Sequence, residues 1–144
     1  MSNLVYVVCL ECDAVNRVPR DRLGAGAKCG KRRAPLFSGV PVAPDDRRIA
    51  RHIERSRLPL VVDFWAPWCG PCRMMALAFA AAALVLAPRA CLVKVNTEEA
   101  QVPVGRFGIR SIPTLILFKD GREVTRTTGA MDSDRLVAWV RQWL

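Results

Sequence analysis

The chain has 144 residues, of which 51% are hydrophobic and 24% charged, and this fits one globular domain with a small accessory unit. It has no apolar run of about 18 residues that would span a membrane, and its opening residues lack the pattern of a secretory signal, so a cytoplasmic location is expected. Its 22 basic and 13 acidic residues give a net charge of +9, which we interpret as a solvated surface and not a nucleic-acid site, because aromatic residues are not interleaved with the basic ones.

The first part of the chain, residues 1–37, contains three of the six cysteines and is rich in glycine, arginine and lysine. We predict a small zinc-ribbon-like unit that cannot bury a core of its own, followed by a main domain over residues 38–144. The connection at residues 38–44 is predicted to include a short edge strand at Val40 and Val42.

Three cysteines of this first part, Cys9, Cys12 and Cys29, match three of the four ligand positions of a zinc ribbon. The fourth position holds Arg32, which cannot bind zinc, so the site is degenerate. Three interpretations remain open: zinc binds with an outside ligand, the site is vestigial and packs on the main domain, or Cys9 and Cys12 form a second redox pair. The outside ligands considered are His52, Asp13 and water, although His52 is also readily explained as a polar position on the first helix of the main domain.

The main domain alternates between apolar runs and helical patterns, which predicts an α/β fold. Parallel strands come first and an antiparallel hairpin follows. The first predicted elements are a helix over residues 49–56, capped by Asp45 or Asp46, a strand at 60–65, a helix at 69–87 and a strand at 91–95. A helix at 98–107 follows, which contains Pro103 or breaks there. The last elements are strands at 114–118 and 123–128 around a turn at 119–121, and a final helix capped by Asp132 or Ser133. In that last helix Leu136, Val140 and Trp143 are predicted to face the sheet.

Cys69 and Cys72 lie where a buried strand gives way to a helix. A cysteine at a helix N-terminus meets unpaired N–H groups and the positive end of the helix dipole, and both lower its pKa. Two intervening residues bring Cys72 within bonding reach, and Pro71 stiffens the first helical turn. We therefore predict a redox pair in which burial of Cys72 leaves Cys69 as the exposed attacking sulfur.

Three segments closely resemble the thioredoxin family: Phe64-Trp65-Ala66-Pro67-Trp68-Cys69-Gly70-Pro71-Cys72-Arg73-Met74, Ser111-Ile112-Pro113-Thr114, and Phe118-Lys119-Asp120-Gly121. The likeness spans residues 58–144, and the segment around Cys12 is similar to the ribbon that precedes the longer bacterial thioredoxins. The resemblance implies the thioredoxin fold, a mixed central sheet flanked by helices. One departure is Leu77, where the family usually has a proline, so the helix should be less kinked there.

The resemblance also implies roles for two charged residues near the cysteines. Asp63 interrupts an apolar strand, so burial should raise its pKa, and the family suggests that it accepts a proton from Cys72. The plainer alternative is an aspartate that caps a turn at the strand end. Lys94 would be its charge partner, although a surface lysine would look the same in the sequence.

The remaining roles implied by the resemblance concern substrate binding. The Ile112–Pro113 bond should be cis and should turn the preceding backbone towards Cys69, where an extended substrate chain would bind. The expected substrate-binding residues are Trp68, Gly70, Pro71, Ile112, Pro113 and Gly129. Trp65 is expected to pack in the core, and Cys91 is expected to be a buried small hydrophobe.

The function implied is general reduction of protein disulfides, with an NADPH-dependent thioredoxin reductase as the recharging partner and no cofactor required for the dithiol chemistry. Net oxidation or isomerisation on the same fold is a second hypothesis, which the Gly-Pro pair between the cysteines disfavours. The third is a binding module in which the basic N-terminal segment docks a partner or nucleic acid and the dithiol is secondary.

Overall fold

The computed structural model describes residues 3–37 and 46–144, so the predicted edge strand at Val40 and Val42 lies outside the described residues. Within the described ranges, no helix is both long and apolar enough to cross a membrane.

The N-terminal segment forms a two-stranded antiparallel hairpin that the sequence analysis did not predict. Strand β1 is Leu4–Val8 and strand β2 is Val15–Pro19, and a short 3-10 turn follows at Arg20–Arg22. In β1, Val5 and Val7 are buried, and these valines join the apolar cluster of the main domain. The hairpin therefore shares its core with the main domain, as expected for a unit too small to bury its own.

The main domain is a four-stranded sheet with helices on both faces. In chain order its elements are α1 (Asp46–Arg55), β3 (Leu60–Trp65), α2 (Gly70–Leu86), β4 (Cys91–Asn96), α3 (Gln101–Arg106), β5 (Thr114–Lys119), β6 (Arg122–Thr128) and α4 (Ser133–Arg141). The strand order is β4-β3-β5-β6, with β3 and β4 parallel and the other pairs antiparallel. This is the thioredoxin fold, and the predicted fold class is confirmed.

Two apolar clusters cover the two faces of the sheet because successive strand residues point to opposite sides. Val62 and Phe64 of β3 belong to the cluster that includes α1 and the N-terminal hairpin. Val61 belongs to the cluster formed with α2 and α4, which includes Phe79 and Leu136. The central strand is thus buried on both sides, and its end is held firmly where the chain turns into α2.

Two details of the helices differ from the prediction. Leu136 and Val140 are buried as expected, but Trp143 is 38% exposed because α4 ends at Arg141 and the helical spacing no longer applies beyond it. Helix α3 starts at Gln101, later than predicted, and Pro103 lies in its first turn, where a missing N–H leaves no helical hydrogen bond unmade.

Candidate active site

The two candidate cysteines are bonded to each other at the start of α2. Cys69 is the N-cap residue of the helix, Pro71 lies in its first turn, and the Cα atoms of Cys69 and Cys72 are 5.3 Å apart. The backbone N–H of Cys72 donates a hydrogen bond to Cys69 Sγ at 3.2 Å. The same N–H would stabilise a thiolate at Cys69, because it is one of the unpaired donors at the positive end of the helix.

The prediction of an exposed Cys69 is wrong in degree. Cys69 is only 5% exposed and Cys72 2%. Trp65 at the end of β3 and Ile112 in the loop before β5 pack against the pair. What distinguishes Cys69 is therefore the hydrogen bond at the helix start and its position beside the exposed Trp68, and not a large exposed area of its own.

The loop before β5 lies against the cysteine pair. The Ile112–Pro113 peptide bond is cis, and the carbonyl oxygen of Ile112 lies 3.8 Å from Cys69 Sγ. The N–H of Gly129 donates to the carbonyl of Pro113 at 2.9 Å, so β6 leads directly into the same region. Gly129 has φ +93°, a conformation that side-chain-bearing residues rarely adopt.

Asp63 is a buried carboxyl group in the middle of the sheet. It lies on β3 opposite Lys94 of β4 and Leu115 of β5, and among the described residues its Oδ1 has no hydrogen-bond partner. Burial raises the pKa of Asp63 to about 7, and the positive charge of Lys94 opposes that rise. A strand-end aspartate capping a turn would have a hydrogen-bonded, solvated carboxylate, and Asp63 does not fit that description.

Lys94 is half-buried, and its ammonium lies over the ring of Trp65 at 4.4 Å from the ring centroid. This cation–π contact holds the Lys94 ammonium beside Trp65, at the end of β3. Lys94 therefore affects Asp63 through its charge and not through a direct contact with Oδ1, which remains without a partner among the described residues. Trp65 is half-buried and packs against the cysteine pair, as expected of a residue with a packing role.

Cys91 and Leu77 are two further residues that the sequence singled out, and one is buried and the other exposed. Cys91 is buried, and burial raises its pKa to about 12, so it has no activated sulfur. Leu77 stands exposed on an uninterrupted α2 that runs from Gly70 to Leu86.

The N-terminal cysteines form a compact cluster. The sulfur atoms of Cys9, Cys12 and Cys29 all lie within 4.8 Å of one another, with 3.6 Å between those of Cys12 and Cys29. Arg32 occupies the fourth side: its Nε donates to Cys9 Sγ at 3.4 Å and its backbone N–H to Cys29 Sγ at 3.5 Å. That backbone N–H is the main reason why the pKa of Cys29 is lowered to about 6. Asn16, which the sequence analysis missed, also donates to Cys29 Sγ.

The residues of this cluster do not complete a four-ligand zinc site. Three thiols are placed suitably for a metal, but the fourth ligand is replaced by a guanidinium, which has no lone pair to donate. The two side chains considered from the sequence as outside ligands are engaged with each other: His52 Nε2 lies 2.9 Å from Asp13 Oδ1. Neither belongs to the thiol cluster of the described chain.

His52 is thus more than a polar position on a helix surface, and that interpretation was wrong. It is buried, and with Arg48 of the same helix it holds the Asp13 carboxylate, whose Oδ2 lies 3.0 Å from Arg48 Nε. Hydrogen bonds from both side chains lower the pKa of Asp13 against the opposing effect of burial. The link ties the ribbon-like segment to α1, and only the folded structure shows it, because the residues are far apart in the chain.

Comparisons with known proteins agree with this geometry. The thioredoxin family model matches residues 42–142, and a zinc-ribbon model described as "Thioredoxin 2, N-terminal" matches residues 8–31. The chain is 38% identical over 140 residues to Thioredoxin C-3 of Corynebacterium nephridii, covering 97% of this chain and 96% of that protein. It is 43% identical over 97 residues to Thioredoxin 1 of Synechococcus elongatus, covering 67% of this chain and 91% of that one. Among solved structures, a mutant thioredoxin from Halobacterium salinarum NRC-1 is similar with a TM-score of 0.66 and 27% identity, covering 73% of this chain and 91% of that chain.

Proposed function

This chain belongs to the thioredoxin family, and we propose that it reduces disulfide bonds of other proteins through a mixed disulfide formed at Cys69. The observation that carries the proposal is the hydrogen bond from the first turn of α2 to Cys69 Sγ, because a donor at that position favours the thiolate needed for attack. A thioredoxin-type dithiol oxidoreductase is what the family membership itself establishes.

The proposed reaction starts from the dithiol form. The Cys69 thiolate attacks one sulfur of the substrate disulfide and releases the other as a thiolate, which leaves Cys69 joined to the substrate. Cys72 then loses its proton and attacks Cys69, which frees the second substrate thiolate and forms the Cys69–Cys72 disulfide. Two electrons pass to the substrate in the full cycle. Asp63 would accept the Cys72 proton, since a carboxyl group with a pKa of about 7 titrates near the working pH, and Lys94 would tune that pKa.

The proposed substrate-binding surface surrounds Cys69. Support comes from exposure and contact: Trp68 is 68% exposed beside Cys69, and Ile112 lies against its sulfur. An extended substrate segment would pair with the backbone near Ile112, as a peptide adds to a strand edge. The residues assigned to this surface are Trp68, Gly70, Pro71, Ile112, Pro113 and Gly129.

The proposed partners are disulfide-containing proteins as substrates and an NADPH-dependent thioredoxin reductase that restores the dithiol. The dithiol chemistry needs no resident cofactor. We place the protein in a reducing compartment such as the cytoplasm, because Cys9, Cys12, Cys29 and Cys91 are all free thiols in a chain of this size.

The proposed division of the chain is an accessory segment at residues 1–37 and a catalytic domain at residues 38–144. The shared apolar cluster and the Asp13–His52 contact support a segment that packs on the catalytic domain as one folded body.

The activity is tested by the reduction of insulin with dithiothreitol, followed as turbidity from the released insulin chains. We expect a catalytic amount of the wild-type protein to shorten the lag well below that of dithiothreitol alone. Turbidity that develops no faster with the protein than without it would rule out the proposed activity.

The proposal of a degenerate ribbon predicts that Arg32→Cys creates a zinc site. A fourth thiolate should raise zinc affinity roughly 100-fold or more. The binding free energy of a structural zinc ion is ~10–16 kcal/mol, and four ligands contribute to it. After dialysis against a chelator, the variant should retain about one zinc per chain by mass spectrometry of the metal, and the wild-type protein should retain almost none.

Arg33→Cys is the matched control for this experiment. Arg33 is adjacent in sequence but lies one residue beyond the C-x-x-C position that Arg32 occupies, so the control should bind zinc more weakly than Arg32→Cys. Wild-type protein that keeps stoichiometric zinc through the same dialysis would show that three cysteines suffice and would contradict the degenerate-site interpretation.

A further inference from the structure

The outward face of α2 carries a continuous apolar stripe that lies in water. No polar side chain occurs between Arg73 and Arg89. We name the exposed residues Met74, Leu77, Ala81 and Leu84 the α2 seam, with Val85 at its edge. Met74 is 80% exposed, Leu77 84%, Leu84 66% and Val85 54%.

Such a surface is unusual for a helix whose inner face already packs in the core. Met75, Phe79 and Leu86 of α2 are buried against the sheet and α4. A helix that is apolar on all sides is normally covered on all sides. The seam exposes on the order of 500 Å² of apolar surface, near the upper end of the largest patch on a typical monomer, which marks it as an interaction surface.

We propose that the α2 seam pairs with the α2 seam of a second copy of this chain in an antiparallel dimer. The seam residues are spaced by three, four and three positions, which is the a/d spacing of a helix pair. Antiparallel pairing about a two-fold axis places Met74 against Leu84 of the second copy and Leu77 against Ala81. A large side chain then meets a small one at the centre, which allows close packing.

A net charge of +9 on each copy opposes association at charged surfaces, whereas the seam carries no charge. One local interaction favours a second copy as the occupant. The last turn of α2 has no basic residue of its own. In the antiparallel pair, Arg73 of one copy lies near the C-terminal end of the other α2, where a positive charge is favourable.

The area is sufficient for a dimer of modest stability. Two seams together bury on the order of 1,000 Å², which is the lower limit for a specific interface, so the dimer should form at micromolar concentrations and dissociate on dilution. Cys69 and Trp68 precede the seam, and in the antiparallel pair the two redox sites lie at opposite ends. Because neither Cys69 nor Trp68 belongs to the seam, the dimer can form whether or not the proposed reductase activity is correct.

The first test is sedimentation velocity of the full chain in dithiothreitol, which removes disulfide-linked species. Between about 1 and 200 μM the weight-average mass should rise from 16.0 kDa towards twice that value. Leu77→Glu combined with Leu84→Glu should keep the protein at the monomer mass throughout. Glutamate is a good helix former and both positions are exposed, so thermal unfolding should show that this variant remains folded.

The control is Val102→Glu, which places the same charge at an apolar residue of α3 that is 69% exposed. This control should dimerise like the wild type. A wild-type protein that stays monomeric over the whole concentration range would overturn the proposal. So would a dimer that persists unchanged in the double glutamate variant.

The second test concerns the antiparallel register. Met74→Glu and Leu84→Lys should each weaken the dimer at least about tenfold, and the two together should restore much of the loss, because the new charges meet across the two-fold axis. In a parallel pair the combined variant would place like charges together and would be the weakest.

The last test is flotation of the protein with vesicles of phosphatidylglycerol. If the wild-type protein stays monomeric but floats with these vesicles, and Leu77→Glu with Leu84→Glu abolishes flotation, then the seam is a membrane-binding face and the dimer proposal is wrong.

Discussion

Cys72→Ser is expected to leave the protein covalently joined to its substrate, whereas Cys69→Ser is expected not to react at all. Cys69 receives the N–H hydrogen bond of the helix start, and Cys72 lies one turn further inside and is the more buried of the two. Without Cys69 there is no attacking sulfur, and without Cys72 the mixed disulfide has no internal thiol to resolve it. Both variants should lose insulin reduction by about 10³-fold or more.

The asymmetry is measured by mass spectrometry after each reduced variant is mixed with oxidised insulin. The Cys72→Ser protein should gain the mass of one insulin molecule, because a second interchain disulfide keeps the two chains together, and dithiothreitol should remove it. The Cys69→Ser protein should gain nothing at the active site. Cys91→Ala is a suitable control because that cysteine is buried with a raised pKa, and the variant should retain activity. Trapping by Cys69→Ser and not by Cys72→Ser would reverse the assigned roles.

The strands of the main domain were predictable because burial on both faces gives a signal that does not depend on distant residues. Leu60–Trp65 is apolar at every position but Asp63, and the structure begins and ends the strand at the predicted residues. The hairpin of β1 and β2 was missed because its strands have five residues each and β2 contains a single buried residue. Packing of both strands into the apolar cluster of the main domain, through Val5 and Val7 of β1 and Val18 of β2, stabilises the hairpin.

The candidate site was likewise predictable where it depends on local sequence and not where it depends on contacts between distant residues. The N-cap position of Cys69 follows from a local pattern, and the structure has it. The near-complete burial of Cys69 depends in part on Ile112, which the fold brings from 43 residues away. The pairing of His52 with Asp13 likewise joins residues 39 positions apart. A periodic pattern reports which face of an element is buried, but it does not report what covers that face.

The second large effect is the contribution of Asp63 to the pH dependence of stability. Burial raises the pKa of Asp63 to about 7 in the folded protein, against about 3.9 in an unfolded chain. Between these values the native state binds the extra proton at Asp63, so the contribution of Asp63 to the free energy of unfolding decreases as the pH rises from about 4 to about 7. Burial lowers the pKa of His52, whose contribution has the opposite sign and is unchanged in a comparison of Asp63 variants. A difference of about three pKa units corresponds to about 4 kcal/mol lost by pH 8.

Asp63→Asn should remove this loss, because the amide resembles the protonated carboxyl group and does not ionise. At pH 8 the variant should be more stable than the wild type by about 3–4 kcal/mol, and near pH 4 the two should be nearly equal. Urea unfolding at several pH values measures the difference. Asp120→Asn, at an exposed turn residue with φ +53° that asparagine tolerates, should change stability little at any pH.

The same substitution separates the structural effect of Asp63 from its proposed role in proton transfer. An amide does not accept the Cys72 proton, so resolution of the mixed disulfide should slow even though the folded state is more stable. An Asp63→Asn protein that is less stable than the wild type at pH 8 would mean that the carboxylate is stabilised in the folded state by partners and is not destabilised by burial. A more stable variant with unchanged resolution kinetics would leave the burial argument intact and remove Asp63 from the chemistry. The gain in stability and the loss in rate have one physical source, because a carboxylate that is costly to bury is also one that readily takes up a proton.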